Sequence, residues 1–186
     1  MSKTPQKIVF IDRDGVINTD LWKYVEHWGE FEFEKTAVAS LKTLTDRGFD
    51  IYIISNQAGV GDGVFSAEQL WDIHEKMVRH LETEGVRIKG AHYCLHSKKE
   101  NCSCRKPKTG LLEAAVEGVS FDRNRTYFVG DKLSDLEAGK NFKLKTILVR
   151  TGYGKEAETK LTKALTPDHI VDDLGAAVPI VLKEFA

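Results

Sequence analysis

No apolar run in this chain approaches the roughly 18 or more residues that a membrane-spanning helix needs. The stretch Met1 to Lys7 also lacks the apolar segment of a secretory leader. These two absences set the expectation of a cytoplasmic protein with no membrane partner. An excess of one charge is missing as well: 27 Lys and Arg stand against 28 Asp and Glu, a formal net charge of −1. A protein built to grip a nucleic-acid backbone carries surplus positive charge, so nucleic acid is not the expected partner. Cysteine is scarce, and three copies cannot pair off into a disulfide framework. At 186 residues none is required, because a chain of this length buries roughly 70% of its unfolded surface. Internal repeats, low-complexity tracts and linkers are absent too. The chain therefore reads as one domain over 1–186.

What is present is an alternation of short β-rich runs with helical patterns, the signature of an α/β domain with a parallel sheet. Strands are expected at Lys7–Asp12, Asp50–Ser55, Ala91–Cys94, Thr126–Val129 and Lys145–Val149. Helical spacing covers Thr36–Arg47, with Gly48 as its stop, and the stretch after Ser66, where Ser66 and Gln69 form a capping box. A short helix is expected over Leu111–Val119, and Ser134 with Glu137 offers a second capping box for a helix ending near Asn141. Asp172 or Asp173 would cap a last helix. Pro179 lies inside it, at a cost of about 3 kcal/mol, so a kink or break is expected there.

Candidate chemistry gathers at the expected strand ends, where parallel sheets bind ligands. Asp12 and Asp14, two residues apart and followed by Gly15, could hold Mg²⁺ while one attacks and the other handles a proton. A solvated Asp-Gly turn would look the same. Ser55, Asn56 and Gln57 end the second strand, and Asp131 and Lys132 end the fourth, with Asp135 beyond. Gly59 to Gly63 could cradle a phosphate or be a plain turn. The segment 96–108 carries five basic residues against one acid, a local excess suited to a phosphorylated ligand. Within it and just before it, Cys94, His96, Cys102 and Cys104 give C-x-H-x5-C-x-C. Three thiolates and one imidazole make a closed tetrahedral set, the chemistry of structural Zn²⁺. A polar loop that cannot build its own core would be ordered by such a metal, fixing Arg105 and Lys106 just behind it.

The motifs DRDGVIN at 12–18, SNQAG at 55–59, CLH at 94–96, CSCRKPK at 102–108 and GDKLSD at 130–135 together resemble the haloacid-dehalogenase-like (HAD) phosphatases. The similarity is to the capless branch that includes heptose bisphosphate phosphatases and histidinol-phosphatases, and it runs from Lys7 to about Gly152. It implies a three-layer Rossmann-like domain with a parallel sheet, no cap domain and the zinc loop 94–104 inserted. It implies Asp12 as nucleophile, Asp14 as acid and base, and Ser55 and Lys106 on the transferring phosphoryl group. Mg²⁺ would be held by the Asp12 carboxylate, the Asp14 carbonyl and Asp131. Asp20, Asn56, Gln57, Arg105 and Lys132 would contact substrate, with Lys23 as a further cation.

The expected activity is Mg-dependent removal of the 7-phosphate from D-glycero-D-manno-heptose 1,7-bisphosphate by a monomer whose partner is a small phosphorylated substrate. Histidinol phosphate is the nearest alternative, since the five-residue spacer between His96 and Cys102 resembles that branch. Asp20 to Phe33 reads more like the heptose enzymes. A polynucleotide 3′-phosphatase is disfavoured by the net charge. A phosphosugar-binding module without turnover is disfavoured because nucleophile, acid, lysine and metal aspartate are all present.

Overall fold

The computed structural model describes residues 5–186; of the stretch Met1 to Lys7, the first four residues lie outside it. Six strands form one sheet: β1 Ile8–Ile11, β2 Asp50–Asn56, β3 Ile88–Cys94, β4 Tyr127–Gly130, β5 Lys145–Val149 and β6 His169–Val171. Their order is β3-β2-β1-β4-β5-β6, and every pairing is parallel. The chain winds outward one way from β1 and the other way from β4. The crevice between these two central strands is thus the switch point at which such sheets bind ligands.

Side chains alternate along each strand, which sorts the core into two layers. Val9 and Ile11 face Leu41 and Leu44 of α1 (Ala37–Asp46), Ile73 and Met77 of α3 (Ala67–Thr83), and Ala177 and Val181 of α7 (Leu174–Lys183). Ile8 and Phe10 face Leu111 and Leu112 of α4 (Gly110–Ala115) and Ala138 of α5 (Leu133–Asn141). Two short helices, α2 (Ala58–Gly61) and α6 (Gly154–Thr159), sit directly behind β2 and β5. Helices on both faces of a parallel sheet give the expected three layers.

Two local expectations need correction, and two alternatives are settled. The helix after β4 is not closed by a Ser134–Glu137 box; it starts at Leu133, and Asp135 Oδ2 accepts from the Lys132 N–H at 3.0 Å. Asp135 takes that place because its other oxygen is drawn inward by Lys106. Helix α7 runs unbroken through Pro179. Its buried Leu174, Ala177, Val178 and Val181 offset the missing hydrogen bond, since each large apolar side chain contributes about 1.5–3 kcal/mol. Asp173, not Asp172, caps that helix by accepting from Ala176 N–H at 2.9 Å. Gly59 to Gly63 is mostly α2, and Gly61 lies so close to the backbone of Leu95 and Ser97 that a Cβ there would collide with it. That glycine is for packing under the cysteine loop.

Candidate active site

Strand β1 delivers Asp12 to the switch point, buried, with its N–H bonded to Val129 O of β4. Asp12 Oδ1 accepts from Arg13 N–H at 2.8 Å and lies 3.0 Å from Lys106 Nζ. Both contacts fall on one oxygen, leaving Oδ2 for chemistry. Lys106 also pairs with Asp135 Oδ1 at 2.7 Å and donates to Ile54 O at 2.7 Å. Burial opposes its charge, but Asp12 and Asp135 outweigh burial and raise its pKa. The ammonium therefore stays charged beside Asp12.

Carboxylates of Asp12, Asp131 and Asp135 lie within 4.8 Å of one another, all buried. Burial pushes the Asp131 pKa well up; Lys132 counters this, while Asp12 and Asp135 add to it. Asp131 Oδ2 accepts from Tyr153 N–H at 2.8 Å, yet Oδ1 is buried without a hydrogen-bond partner. An orphaned carboxylate oxygen inside a crowd of negative charge fits a hard divalent cation with oxygen ligands. Gly15 is required here. Its φ is +83°, and a Cβ would strike Asp131 Oδ2.

Asp14 is held tightly. Its Oδ1 accepts from Arg13 Nε at 3.1 Å, Arg13 Nη2 at 2.8 Å and Asn18 Nδ2 at 3.1 Å; its Oδ2 accepts from Gln57 Nε2 at 2.7 Å. Burial alone would raise its pKa, but Arg13, Lys132 and Gln57 outweigh burial and hold it below the usual range. Arg13 is fully buried, and nothing in the sequence signals it, since arginine is a residue type that is mostly exposed.

The expected substrate contacts divide into two groups. Arg105 lines the cavity, and its Nη1 is buried without a partner. Lys132 and Asp20 also line the cavity but pair with each other at 3.0 Å, so the charge of Lys132 is partly met. Asn56 lines the cavity as well and Gln57 does not, but the side chains of both are committed to the protein. Asn56 Oδ1 accepts from Lys106 N–H at 3.0 Å while its Nδ2 donates to Lys106 O at 3.1 Å. Gln57 Nε2 bridges Asp14 and Ser55 Oγ, the latter at 3.0 Å. Lys23 is occupied as well, by Glu30 at 2.5 Å. The cavity holding Asp12, Asp14, Ser55, Lys106 and Arg105 has a volume of about 730 Å³.

Beside it, Cys94 at the end of β3 meets Cys102 and Cys104 at Sγ–Sγ distances of 3.5 and 3.3 Å, and Cys102 meets Cys104 at 3.5 Å. His96 Nδ1 lies 3.2 Å from Cys104 Sγ and 3.6 Å from Cys94 Sγ. No disulfide joins the three thiols. Three thiols and an imidazole this close, with five of their six separations between 3.2 and 3.6 Å, approach the roughly 3.8 Å edges of a tetrahedron with Zn–S bonds of about 2.3 Å.

Comparison with known proteins bears on what this site belongs to. Residues 103–177 match the HAD-hydrolase-like family model. A D-glycero-β-D-manno-heptose-1,7-bisphosphate 7-phosphatase of Haemophilus ducreyi is 37% identical over 175 residues, covering 90% of this chain and 96% of the relative. The chain belongs to the haloacid-dehalogenase-like hydrolases. A further relative of this HAD hydrolase, the D-glycero-D-manno-heptose-1,7-bisphosphate 7-phosphatase of Chlorobaculum tepidum, is 34% identical, covering 92% of each chain. The D,D-heptose 1,7-bisphosphate phosphatase of B. bronchiseptica, solved with magnesium and phosphate, superposes with a TM-score of 0.89 at 29% identity, covering 96% of this chain and 99% of that one. Among the described residues of this HAD hydrolase, no helix is long and apolar enough to cross a membrane.

Proposed function

We propose that this HAD hydrolase is a Mg²⁺-dependent phosphatase that removes the 7-phosphate of D-glycero-D-manno-heptose 1,7-bisphosphate through an aspartyl-phosphate on Asp12. The observation that carries the chemistry is the buried Asp12–Lys106–Asp135–Asp131 cluster at the switch point, with one Asp12 oxygen uncommitted. Relatives named for this reaction support the substrate.

Asp12 Oδ2 attacks phosphorus, and the bond to the leaving alkoxide breaks as a proton reaches that oxygen from Asp14. Asp14 then takes a proton from the water that cleaves the acyl phosphate, which returns Asp12 as a carboxylate. Because Asp14 is ionised in the free protein, substrate must bring it the proton or loosen its bonds to Arg13 and Gln57. Ser55 Oγ and Lys106 Nζ steady the oxygens of the transferring group. Asp12, the Asp14 carbonyl and Asp131 would hold Mg²⁺, which when bound neutralises charge between carboxylate and phosphate. Arg105 supplies the cation for a second phosphate, and Lys132 lines the same cavity. Cys94, His96, Cys102 and Cys104 would hold Zn²⁺, closing the loop that carries Arg105 and Lys106. In this reading the protein is a cytoplasmic, capless, single-domain monomer over 1–186.

The test is kcat/KM for the heptose bisphosphate against histidinol phosphate with Mg²⁺ present. Preference for the bisphosphate is expected. A tenfold preference for histidinol phosphate, about 1.4 kcal/mol in transition-state binding, would overturn the substrate.

A further inference from the structure

At the cavity mouth stands an aromatic pair that the chemistry above does not use. Trp22 is 62% exposed, the highest value for any large hydrophobic side chain among the described residues. Its backbone has φ +60°, a left-handed conformation that a bulky residue keeps only when its surroundings impose it. Asp20 imposes it: Oδ1 accepts from Trp22 N–H at 2.8 Å, while Oδ2 is anchored by Lys132 at 3.0 Å. The Trp22 ring meets Tyr153 edge to face, with centroids 4.4 Å apart and planes at 64°.

Tyr153 is fixed in turn. Its N–H donates to Asp131 Oδ2, and Lys132 Nζ sits 4.9 Å over its ring. Both rings line the cavity. An exposed indole in a strained backbone contributes little to the core. It is held, through Asp20, Lys132 and Asp131, in fixed relation to the reacting centre.

We propose that Trp22 and Tyr153 form a specificity platform that takes the C–H face of the substrate's sugar. This rests on the sugar-phosphate reading above and extends it to the part of the substrate that bears no phosphate. The electron-rich ring faces attract weakly positive C–H groups, and apolar contact on a flat rigid surface costs little side-chain entropy. The residues on the transferring phosphoryl group meet every phosphate ester alike, and Arg105 reads a second phosphate rather than the carbon frame between the two. Contact with the sugar's C–H face falls to this rim.

Trp22→Ala, Tyr153→Ala and Trp22→Phe should be compared with the parent protein on heptose bisphosphate and on acetyl phosphate, which has no sugar. The ratio of kcat/KM between the two is expected to fall about tenfold in each alanine variant, mainly through a higher KM for the bisphosphate. Trp22→Phe should recover most of it. An unchanged ratio, or equal losses on both compounds, would overturn the platform, the latter by showing that the rim only supports the fold. If the parent hydrolyses acetyl phosphate but not heptose bisphosphate, the substrate assignment has failed separately. Fructose 1,6-bisphosphate then supplies the ratio. A tenfold fall would uphold the platform, and an unchanged ratio or no turnover of that sugar would overturn it.

Discussion

Lys106 and Asp135 form an ion pair 2.7 Å long with both side chains almost wholly buried. Asp135 also accepts from the Lys132 N–H, so one carboxylate ties Lys106 to the start of the helix that follows Asp131. Breaking a buried pair costs about 3–5 kcal/mol when the other charge is left uncompensated, but Lys106 keeps Asp12 Oδ1 at 3.0 Å. Asp135→Ala should therefore lower stability by less than that in urea or thermal unfolding and depress activity. Asp135→Asn should lose less stability, since it keeps an acceptor for the N–H. Equal stability of Asp135→Ala and the parent would show that Lys106 is not held this way.

Gln57 acts through two hydrogen bonds that position Asp14 and Ser55. It donates to both Asp14 and Ser55 and does not line the cavity. Gln57→Ala leaves the buried Ser55 Oγ and the half-buried Asp14 Oδ2 without this donor, at about 1–3 kcal/mol. The expected outcome is a fall in kcat of roughly tenfold to a hundredfold with little change in KM. A rise in KM at constant kcat would mean that Gln57 touches substrate instead.

Much of the frame is legible in the sequence because β1, β2, β4 and β5 are buried and nearly all apolar. Strand β6 carries no legible pattern: it is three residues at a sheet edge, His169 exposed and the other two half-buried. The first half of β3 was missed for the same reason, as Lys89 and Gly90 lie on the opposite edge. The acidic, basic and cysteine positions of the site could be read from the motifs. The engagement of Asn56 with Lys106 could not, because it joins residues 50 positions apart and exists only once β2 and the cysteine loop meet. Arg13 and the Trp22–Tyr153 pair were hidden likewise by long-range contact.

The tetrahedral spacing of Cys94, His96, Cys102 and Cys104 predicts about one zinc per chain in protein purified without added metal, measured by elemental analysis. Cys102→Ser should lose that zinc and expose the 94–108 loop to protease, with activity falling indirectly. Three thiols reacting freely in the native protein, with no metal bound, would contradict it.

The Asp173 cap gives a control remote from chemistry. Asp173→Ala should cost about 1 kcal/mol in unfolding while kcat/KM stays at the parent value. A change in activity without a change in stability would point to an unrecognised link between α7 and the site.

The most direct measurement is phosphate release by Asp12→Asn at saturating Mg²⁺ and substrate, alongside its melting curve. The substitution is nearly isosteric, so the protein should stay folded. Asparagine cannot form the aspartyl-phosphate, so turnover should fall to background. Retention of more than a few per cent of parental activity by the folded variant would contradict nucleophilic catalysis by Asp12.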